Sequence, residues 1–318
     1  MPRYVALRLA ATMPVLAGVS IVLFALIRLI PGDPSHAILM SMADPGADMS
    51  RLREDLRTLR AELGLDRPYA TQYLSWLGGI LSGDLGTSMR SGEPVLREIL
   101  ARAPATAELA GAALVVMVVV AAPTAIAGAV RHGGLADRVG RVVALAGVCV
   151  PGFLSGMLFV YAFAVGPGWL PTSGRGGLAH LVLPGLTLGL ALAGGTSRLL
   201  RAGLLDALSQ TYIVTAEAKG LPWRVIVLRH ALRNALPPVL TNSGLLAGGL
   251  LGGSVIVETV FSWPGVGRYI VDAIGGRDYP VIQGFTLVMT LTYVAVNLLT
   301  DIGYRVLDPR VRVEGTRP

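Results

Sequence analysis

Residue types that carry enzymatic chemistry are scarce in this sequence. Lys219 is the only lysine and precedes Gly220, whereas a phosphate-binding P-loop places its lysine directly before Ser or Thr. The histidines are scattered, without the spacing of a metal site: His36, His132, His180 and His230. No Gly-x-Ser-x-Gly nucleophile elbow and no paired-carboxylate site is present. We therefore expect no catalytic residue, no metal site and no cofactor bound by this chain.

One stretch is suited to contact with another protein. Residues 211–238 read TYIVTAEAKGLPWRVIVLRHALRNALPP, which is polar and basic between two apolar segments. Gly220 tolerates a positive φ and Pro222 fits the first turn of a helix, so the pattern predicts helix, turn and helix. The second helix would place three apolar residues on one face: Val225, Leu228 and Leu232. A docking element and an ordinary basic cytoplasmic loop both fit this composition.

The overall composition is typical of a polytopic membrane protein. Hydrophobic residues make up 53% of the 318 residues, charged residues 15%, and the mean hydropathy is +0.62. The net charge is +7 and the isoelectric point is about 10.0. In so apolar a chain, basic residues belong to cytoplasmic loops and lipid headgroups rather than to a nucleic-acid site. The single cysteine, Cys149, excludes a disulfide framework and a Cys-rich metal site.

Six apolar runs are each long enough to cross a bilayer as a helix. They lie at residues 9–30, 105–130, 139–165, 181–200, 239–261 and 282–306. A cleaved signal peptide is the rival interpretation of the first run, but that run is long for one and lacks a small-residue cleavage site. The predicted fold class is therefore all-α, a polytopic membrane protein with six transmembrane helices.

The basic residues predict the orientation of these spans. Short loops on the side of the N-terminus carry most of the arginines and the lysine, whereas the opposite short loops hold only Arg175, Arg268 and Arg277. The positive-inside rule then places both termini in the cytoplasm. We expect a multi-pass protein of the cell membrane, that is, the inner or cytoplasmic membrane.

Polarity divides the chain into three predicted parts. They are a first transmembrane helix with a cytoplasmic N-terminus at 1–31, an extracytoplasmic amphipathic segment at 32–104, and a five-helix core at 105–318 with a cytoplasmic loop at 204–236. In the middle part we expect a helix capped by Ser50, an aromatic-rich interfacial helix from Pro68, a turn at 83–86 and a short third helix over 94–101.

Small residues recur in the fifth apolar run. Gly244, Gly248 and Gly252 lie four residues apart, which allows another helix to approach closely. A gate or pore wall is the functional alternative, because bare backbone leaves room for a substrate. Glu258 lies near the end of the same run rather than at mid-depth, which argues against a proton-relay or counter-ion role.

Five stretches, in order, resemble the permease subunits of ATP-binding-cassette (ABC) importers of the dipeptide, oligopeptide and nickel branch, most of all the dipeptide-permease B type. They are FALIRLIPGDP (24–34), the outer segment from ELGLDRPY to TAEL (62–109), TAEAKGLPWRVIVLRHALRNALPP (215–238), GGSVIVETVFSWPGVGRYIVDAI (252–274) and NLLTDIGYRVLDPRVR (297–312). The resemblance covers essentially the whole chain. The shared cytoplasmic motif aligns on Gly220, with Ala216 at the final Ala of its Glu-Ala-Ala triplet, so Glu217 is not the motif's glutamate.

The resemblance implies a type I importer fold with a short coupling helix over 216–224 that sits in a groove on an ATPase subunit. Ala216 and Gly220 would be small so that this helix can approach the ATPase closely. The coupling residues would be Ala216, Glu217, Ala218, Lys219, Gly220, Leu221, Trp223 and Arg224. The gate of the pore is expected in the outer half of the fifth span, at Gly248, Gly252, Glu258, Phe261, Pro264 and Gly265. ATP-driven closure of the ATPases would turn the cavity outward.

The resemblance also implies the partners of this chain. They are a second permease in a heterodimer, one or two ABC ATPase subunits that hold ATP and Mg, an extracytoplasmic substrate-binding protein, a peptide substrate and membrane lipid, with no nucleic acid. The chain itself would be a non-hydrolytic subunit that forms a path for dipeptides or oligopeptides. Nickel or another small solute is the alternative cargo. An ion-coupled secondary transporter would need an inverted repeat or mid-span charges, and a membrane enzyme would need a catalytic constellation.

Overall fold

Helices make up most of the described chain. A computed structural model describes residues 2–29, 58, 66–131 and 133–307, in which the only β-type pairing is an isolated bridge between Thr87 and Pro94. The helices are α1 (Pro2–Leu29), α2 (Tyr69–Leu81), α3 (Val95–Val130), α4 (Leu135–Cys149), α5 (Gly152–Phe159) continued by a π-helix (Val160–Val165), α6 (Leu178–Leu208), α7 (Thr211–Ala218), α8 (Trp223–Val225) continued by a π-helix (Ile226–Ala231), α9 (Leu232–Gly253), α10 (Val255–Val260), α11 (Val266–Gly275) and α12 (Tyr279–Leu307). The predicted all-α class is confirmed.

Helices occupy all six predicted spans. By length and apolar composition, three described helices could cross a membrane: Val95–Val130, Leu178–Leu208 and Tyr279–Thr300. The apolar part of α1, Ala10–Leu26, is shorter, and α9 carries Pro237 and Pro238 within it. The predicted single span over 139–165 is instead a pair of helices, Asp137–Cys149 and Gly152–Val165, bent by 108°.

The bend between α4 and α5 follows from Pro151. A residue before proline is pushed out of the helical region, and Val150 is extended, with φ −83° and ψ 121°. The apolar run over residues 139–165 is therefore broken into two helices at this proline. Pro151 itself precedes the first residue of α5, where its fixed φ is compatible with the start of a new helix.

The third predicted outer helix does begin after Pro94, but its predicted end at Ala101 is wrong. Helix α3 continues for 36 residues to Val130. Pro104 lies within this helix and does not end it. The predicted helix capped by Ser50 lies outside the described residues.

The aromatic helix predicted after Pro68 is confirmed as α2. Its Tyr73 ring packs edge-on against Phe24 of α1 with ring centroids 5.4 Å apart, and Tyr73 also shares a 2.8 Å hydroxyl hydrogen bond with Ser20. Part of the face expected to meet the membrane interface therefore packs on α1. The predicted turn at 83–86 is confirmed, since Gly83 and Gly86 both have positive φ.

Contacts within the chain separate two units. The first joins residues 1–104 with 269–291, and the second joins 105–268 with 292–318. Residues 269–291, which the sequence analysis placed in the five-helix core, thus group by contacts with the residues before Ala105.

Glycines allow the backbones of neighbouring helices in the second unit to pack directly against each other. A Cβ at Gly147 of α4 would lie 2.5 Å from the Leu190 carbonyl oxygen of α6, and a Cβ at Gly194 would meet the Ala144 carbonyl. Cβ atoms cannot approach carbonyl oxygens so closely, so both positions require glycine. Helices α4 and α6 therefore pack at backbone distance at both positions.

The glycine face of α9 also packs against a helix. A Cβ at Gly244 would collide with the Thr300 side chain of α12, and one at Gly248 would lie 3.4 Å from both Tyr293 and Val296. The packing interpretation of these two glycines is confirmed.

Candidate functional site

The docking segment, residues 211–224, contains α7 and the turn that ends it. The Gly220 N–H donates to the Glu217 carbonyl at 2.8 Å, and the Leu221 N–H donates to the Ala216 carbonyl at 3.2 Å. This pair of bonds is a Schellman motif, which needs a left-handed residue directly after the helix cap. Gly220 supplies that conformation with φ of +72°. The backbone of the turn is therefore fixed without help from a partner.

A new helix starts directly after this turn. Pro222 is extended, with ψ of 141°, and accepts a 2.8 Å hydrogen bond from the Val225 N–H in the first turn of the next helix. The predicted order of helix, turn and helix is confirmed. The expected single coupling helix over 216–224 is not, because α7 covers Thr211–Ala218 and the rest of that range is the turn and the next helix start.

One side of the docking segment is anchored in the second unit. Ile213 and Ala216 are 3% and 6% exposed, and Leu221 is half-buried against the same apolar cluster. The other buried members come from α3, α6, the second π-helix and α9: Ala125, Ala129, Leu200, Leu204, Ala207, Ile226, Ala231, Ala235 and Val239. Ala216 is therefore buried by packing within this chain, and its expected close contact to a partner stays a prediction.

The opposite side of the docking segment is exposed. The exposed positions are Thr211, Tyr212, Val214, Thr215, Glu217, Ala218, Lys219, Gly220, Pro222, Trp223 and Arg224. Three large apolar or aromatic side chains are among them, Tyr212 at 36%, Val214 at 64% and Trp223 at 44% exposure. Within the described part of the chain, the Lys219 and Arg224 side chains form no ion pair or hydrogen bond. All coupling candidates except Ala216 and the half-buried Leu221 are thus available to a partner.

The face predicted for the second helix is wrong, because part of that helix is a π-helix. Leu228 is 54% exposed, while Ile226 and Ala231 are buried. These two buried residues are five apart, the hydrogen-bond spacing of a π-helix, whereas the prediction assumed an α-helical repeat. Beyond the π-helix, the buried residues Ala235 and Val239 return to a spacing of four.

The Glu258 cluster, formed by Thr106, Ser254, Glu258, Val266 and Arg268, is the second candidate region. Glu258 is fully buried, and its carboxylate accepts hydrogen bonds from the Thr106 and Ser254 hydroxyls at 2.8 and 2.6 Å. Its other oxygen accepts the Arg268 N–H at 2.9 Å, and the Thr106 hydroxyl oxygen accepts the Val266 N–H at 2.9 Å. Both N–H groups belong to the first turn of α11, where a carboxylate is favourable.

Aromatic packing closes the region around this cluster. Trp263 is fully buried and donates its indole N–H to the Ala105 carbonyl at 2.8 Å, and Phe261 is 2% exposed. A Cβ at Gly265 would collide with the Glu258 carboxylate, so Gly265 makes room for that side chain. The region is packed as a structural core.

The predicted gate residues mostly have internal contacts in this structure. Gly248, Glu258, Phe261 and Gly265 are buried within the second unit, and Gly252 lies in the last turn of α9. Among the six predicted gate residues, Pro264 is exposed. A gate role for this region stays a prediction.

The sequence analysis missed a buried ion pair in the same unit. Asp137, in the first turn of α4, receives two hydrogen bonds from the guanidinium of Arg201 in α6, at 2.7 and 3.1 Å. The only available signal was a lone acid in an otherwise basic loop, because the partner lies 64 residues away.

Comparisons with protein families and curated proteins agree over the whole length. Residues 94–313 match the family of binding-protein-dependent transport system inner membrane components, and residues 1–110 match the N-terminal region of such membrane components. The chain is 41% identical to the glutathione transport system permease protein GsiC of Salmonella choleraesuis (strain SC-B67) over 98% of this chain and 99% of the relative. It is 40% identical to GsiC of Escherichia coli (strain K12) with the same coverage.

Solved structures share the fold. A chain of the MetNI methionine ABC transporter in an inward-facing conformation aligns with a TM-score of 0.55 and 17% identity, over 67% of this chain and 97% of that one. A chain of an amino acid ABC transporter aligns with a TM-score of 0.51 and 13% identity, over 66% and 94%. At these identities, the likeness concerns the fold.

Proposed function

The chain belongs to the family of binding-protein-dependent transport system inner membrane components and is an ABC importer permease, and we propose that its docking segment receives the movement of an ATPase subunit. The observation that carries this proposal is that residues 211–224 have one buried side and one exposed side. One side is anchored in the apolar cluster of the second unit, and the other is exposed with its backbone fixed by the Schellman motif. A rigid exposed element that is packed against the helices of the permease is suited to pass movement of the ATPase to those helices.

The exposed side chains define the chemistry of the partner surface. Val214 and Trp223 offer apolar area, and Lys219 and Arg224 offer positive charge without an internal partner among the described residues. Interfaces commonly place an aromatic anchor in a pocket with charged groups around it. We expect an ATPase groove with an apolar floor and acidic residues along its edge.

The remaining features of the transporter follow from the same proposal. ATP and Mg would be held by the ATPase subunits, one chain or two, while a sister permease completes the translocation path. An extracytoplasmic binding protein would deliver the cargo. The excess of basic residues in the loops around the docking segment supports a cytoplasmic location for it and for both termini. Family membership favours this arrangement over an ion-coupled transporter or a membrane enzyme.

Small peptides are the proposed cargo. The relatives named above are glutathione permeases, and glutathione is itself a tripeptide. The cargo class is therefore peptides of two to several residues, with glutathione as the first candidate and nickel or another small solute as the alternative. Uptake of labelled glutathione, a dipeptide and nickel should be compared in cells with and without this gene. Loss of nickel uptake alone would contradict the peptide proposal.

Gly220 provides the direct test of docking. Apart from its chain neighbours, no atom of the described residues lies within 4 Å of a Cβ at this position, so a larger side chain would project into the space left for a partner. Gly220→Trp should uncouple ATP hydrolysis from uptake. Gly220→Ala is the matched control, because it has the same unfavourable positive φ without the bulk. Normal uptake by Gly220→Trp, or equal losses in both variants, would contradict docking at this turn.

A further inference from the structure

We propose that the buried pair of Asp137 and Arg201 is a positioning device that transmits movement of the docking segment to the bent α4–α5 element. This inference rests on the proposed function and assigns a transport role to two residues outside the docking segment. Its foundation is the path of contacts from α7 through α6 to α4, all within the second unit.

Helix α6 is the first link in this path. Its last two turns carry Leu204 and Ala207, which are buried in the same apolar cluster as Ile213 and Ala216 of α7. Only Ser209 and Gln210 separate the two helices in the chain. A force applied to the docking segment therefore reaches α6 through both side-chain packing and the backbone.

The ion pair is the second link. The Arg201 Nε and Nη2 atoms donate to the two carboxylate oxygens of Asp137 at 2.7 and 3.1 Å, a bidentate geometry that fixes distance and orientation together. The Asp137 side chain is fully buried and that of Arg201 is 21% exposed. Asp137 also accepts the Gly133 N–H at 3.1 Å, which ties the turn before α4 to the same carboxylate.

A third helix makes room for this pair. A Cβ at Gly128 of α3 would lie 3.0 Å from Asp137 Oδ1 and 3.2 Å from Arg201 Nε. Because Gly128 has no side chain, the ion pair can lie directly against α3. Three helices meet at one charged contact.

The pair differs from the other buried acids of the described chain. Glu258 is held by two hydroxyls and a backbone N–H, and Asp278 by the Ser88 hydroxyl and the N–H groups of Met89 and Arg90. Among the described residues, Asp137 alone is buried against a charged side chain from another helix. Apolar packing already joins α4 to α6, so the ion pair adds a directional constraint at the end nearer the docking segment.

Helix α4 completes the path. Backbone contacts at Gly147 and Gly194 hold it against α6 along the rest of its length, and it continues through the bend into α5. Displacement of the α6 end should therefore reach α4 both through this packing and through the Arg201–Asp137 pair, and the pair adds the directional part of the coupling.

The test uses the complete transporter, with both permeases, the ATPases and the binding protein, in proteoliposomes. Asp137→Asn keeps the shape of the side chain but removes its charge. Uptake of labelled glutathione per ATP hydrolysed should fall by about tenfold, within the usual range of coupling between sites. ATPase retention on purification and the basal hydrolysis rate should stay close to wild type.

Arg141→Gln is the matched control. Arg141 reaches the same carboxylate at 3.6 Å from an exposed position one turn along α4, so its loss leaves the contact between helices intact. Arg201→Lys should give an intermediate loss, because lysine keeps the charge but cannot form the bidentate pair. The double variant Asp137→Asn with Arg201→Gln should lose no more coupling than the worse single variant, since either single change already breaks the contact between the two side chains.

Several outcomes would overturn the inference. Wild-type uptake per ATP in a folded Asp137→Asn transporter would do so. A loss of ATPase retention and thermal stability in proportion to uptake would also overturn it, because that pattern indicates a purely structural pair. Failure of the wild-type chain to retain any ATPase would instead contradict the proposed function itself.

Discussion

The docking segment and the Glu258 cluster lie at opposite ends of one helical stretch, yet they are built in opposite ways. About 45 Å of helix, from α8 through α9, separates them along the chain. In the docking segment the backbone is fixed while most side chains are exposed, whereas in the Glu258 cluster both carboxylate oxygens are bonded and buried. Polar groups that are satisfied internally hold a fold, and exposed groups without an internal partner remain available for binding.

The same contrast separates two acids that the sequence analysis treated as candidates. Glu217 is exposed on the docking segment, while Glu258 is fully buried and caps the first turn of α11. Loss of Glu258 should therefore unfold the chain locally, and loss of a docking side chain should leave the fold intact. Variants of the two regions test this difference.

Removal of the Glu258 carboxylate should have the largest effect. Glu258→Ala leaves the hydroxyls of Thr106 and Ser254 and the Arg268 N–H without their acceptor inside a packed core. We expect a loss of about 3 kcal/mol in the free energy of unfolding, the upper part of the range for buried polar groups left unpaired. The destabilisation is measured as a lower unfolding temperature of the protein in detergent. Unfolding is detected by the loss of the monodisperse peak in size-exclusion chromatography after heating.

Pro264→Ala is the control for this variant, because Pro264 is exposed and lies beside the same cluster. It should leave the unfolding temperature unchanged. An unfolding temperature of Glu258→Ala equal to that of wild type would show that the cluster does not hold the fold.

An added side chain between α9 and α12 should have the next largest effect. Gly244→Val would collide with Thr300, whereas a Cβ at Gly249 in the same helix meets no atom of another part of the described chain within 4 Å. We expect about 2 kcal/mol of destabilisation at Gly244, typical of an overpacked contact. Gly249→Val is the matched control and should behave like wild type in the same thermal assay. Equal effects at the two positions would contradict the packing interpretation.

Truncation of the aromatic docking side chain should have the smallest effect on stability. Trp223 is 44% exposed, so Trp223→Ala should change the free energy of unfolding by less than about 1 kcal/mol. The same variant should lower the amount of ATPase that co-purifies, because aromatic anchors dominate binding energy. A large loss of thermal stability with normal ATPase retention would reverse the assignment of the two regions.

The sequence predicted the docking turn well, because the residues that form this turn are adjacent in the chain. Gly220 and Pro222 determine a helix end and a helix start through their own backbone preferences, and the structure has both. The buried face after Pro222 was not predicted, since a π-helix changes the repeat that the pattern analysis assumed.

Features that depend on distant neighbours could not be read from the sequence. Ala216 is buried in an apolar cluster drawn from several helices, and the Glu258 carboxylate meets Thr106, 152 positions earlier. Arg201 and Asp137 carry no sequence signal of their pairing. In each case the role of the residue depends on which distant residue it contacts. Helix packing determines that contact, and a single sequence does not show helix packing.

Site-specific cross-linking tests the central claim most directly. A photoreactive amino acid placed at Val214, on the exposed side of α7, should capture the ATPase subunit in cells that express the whole transporter. Ile274 is the matched control, because it is similarly exposed, at 59% against 64%, but lies on α11. The proposal predicts an ATPase adduct from Val214 and none from Ile274. An adduct from Ile274, or none from Val214 while the transporter is active, would contradict it.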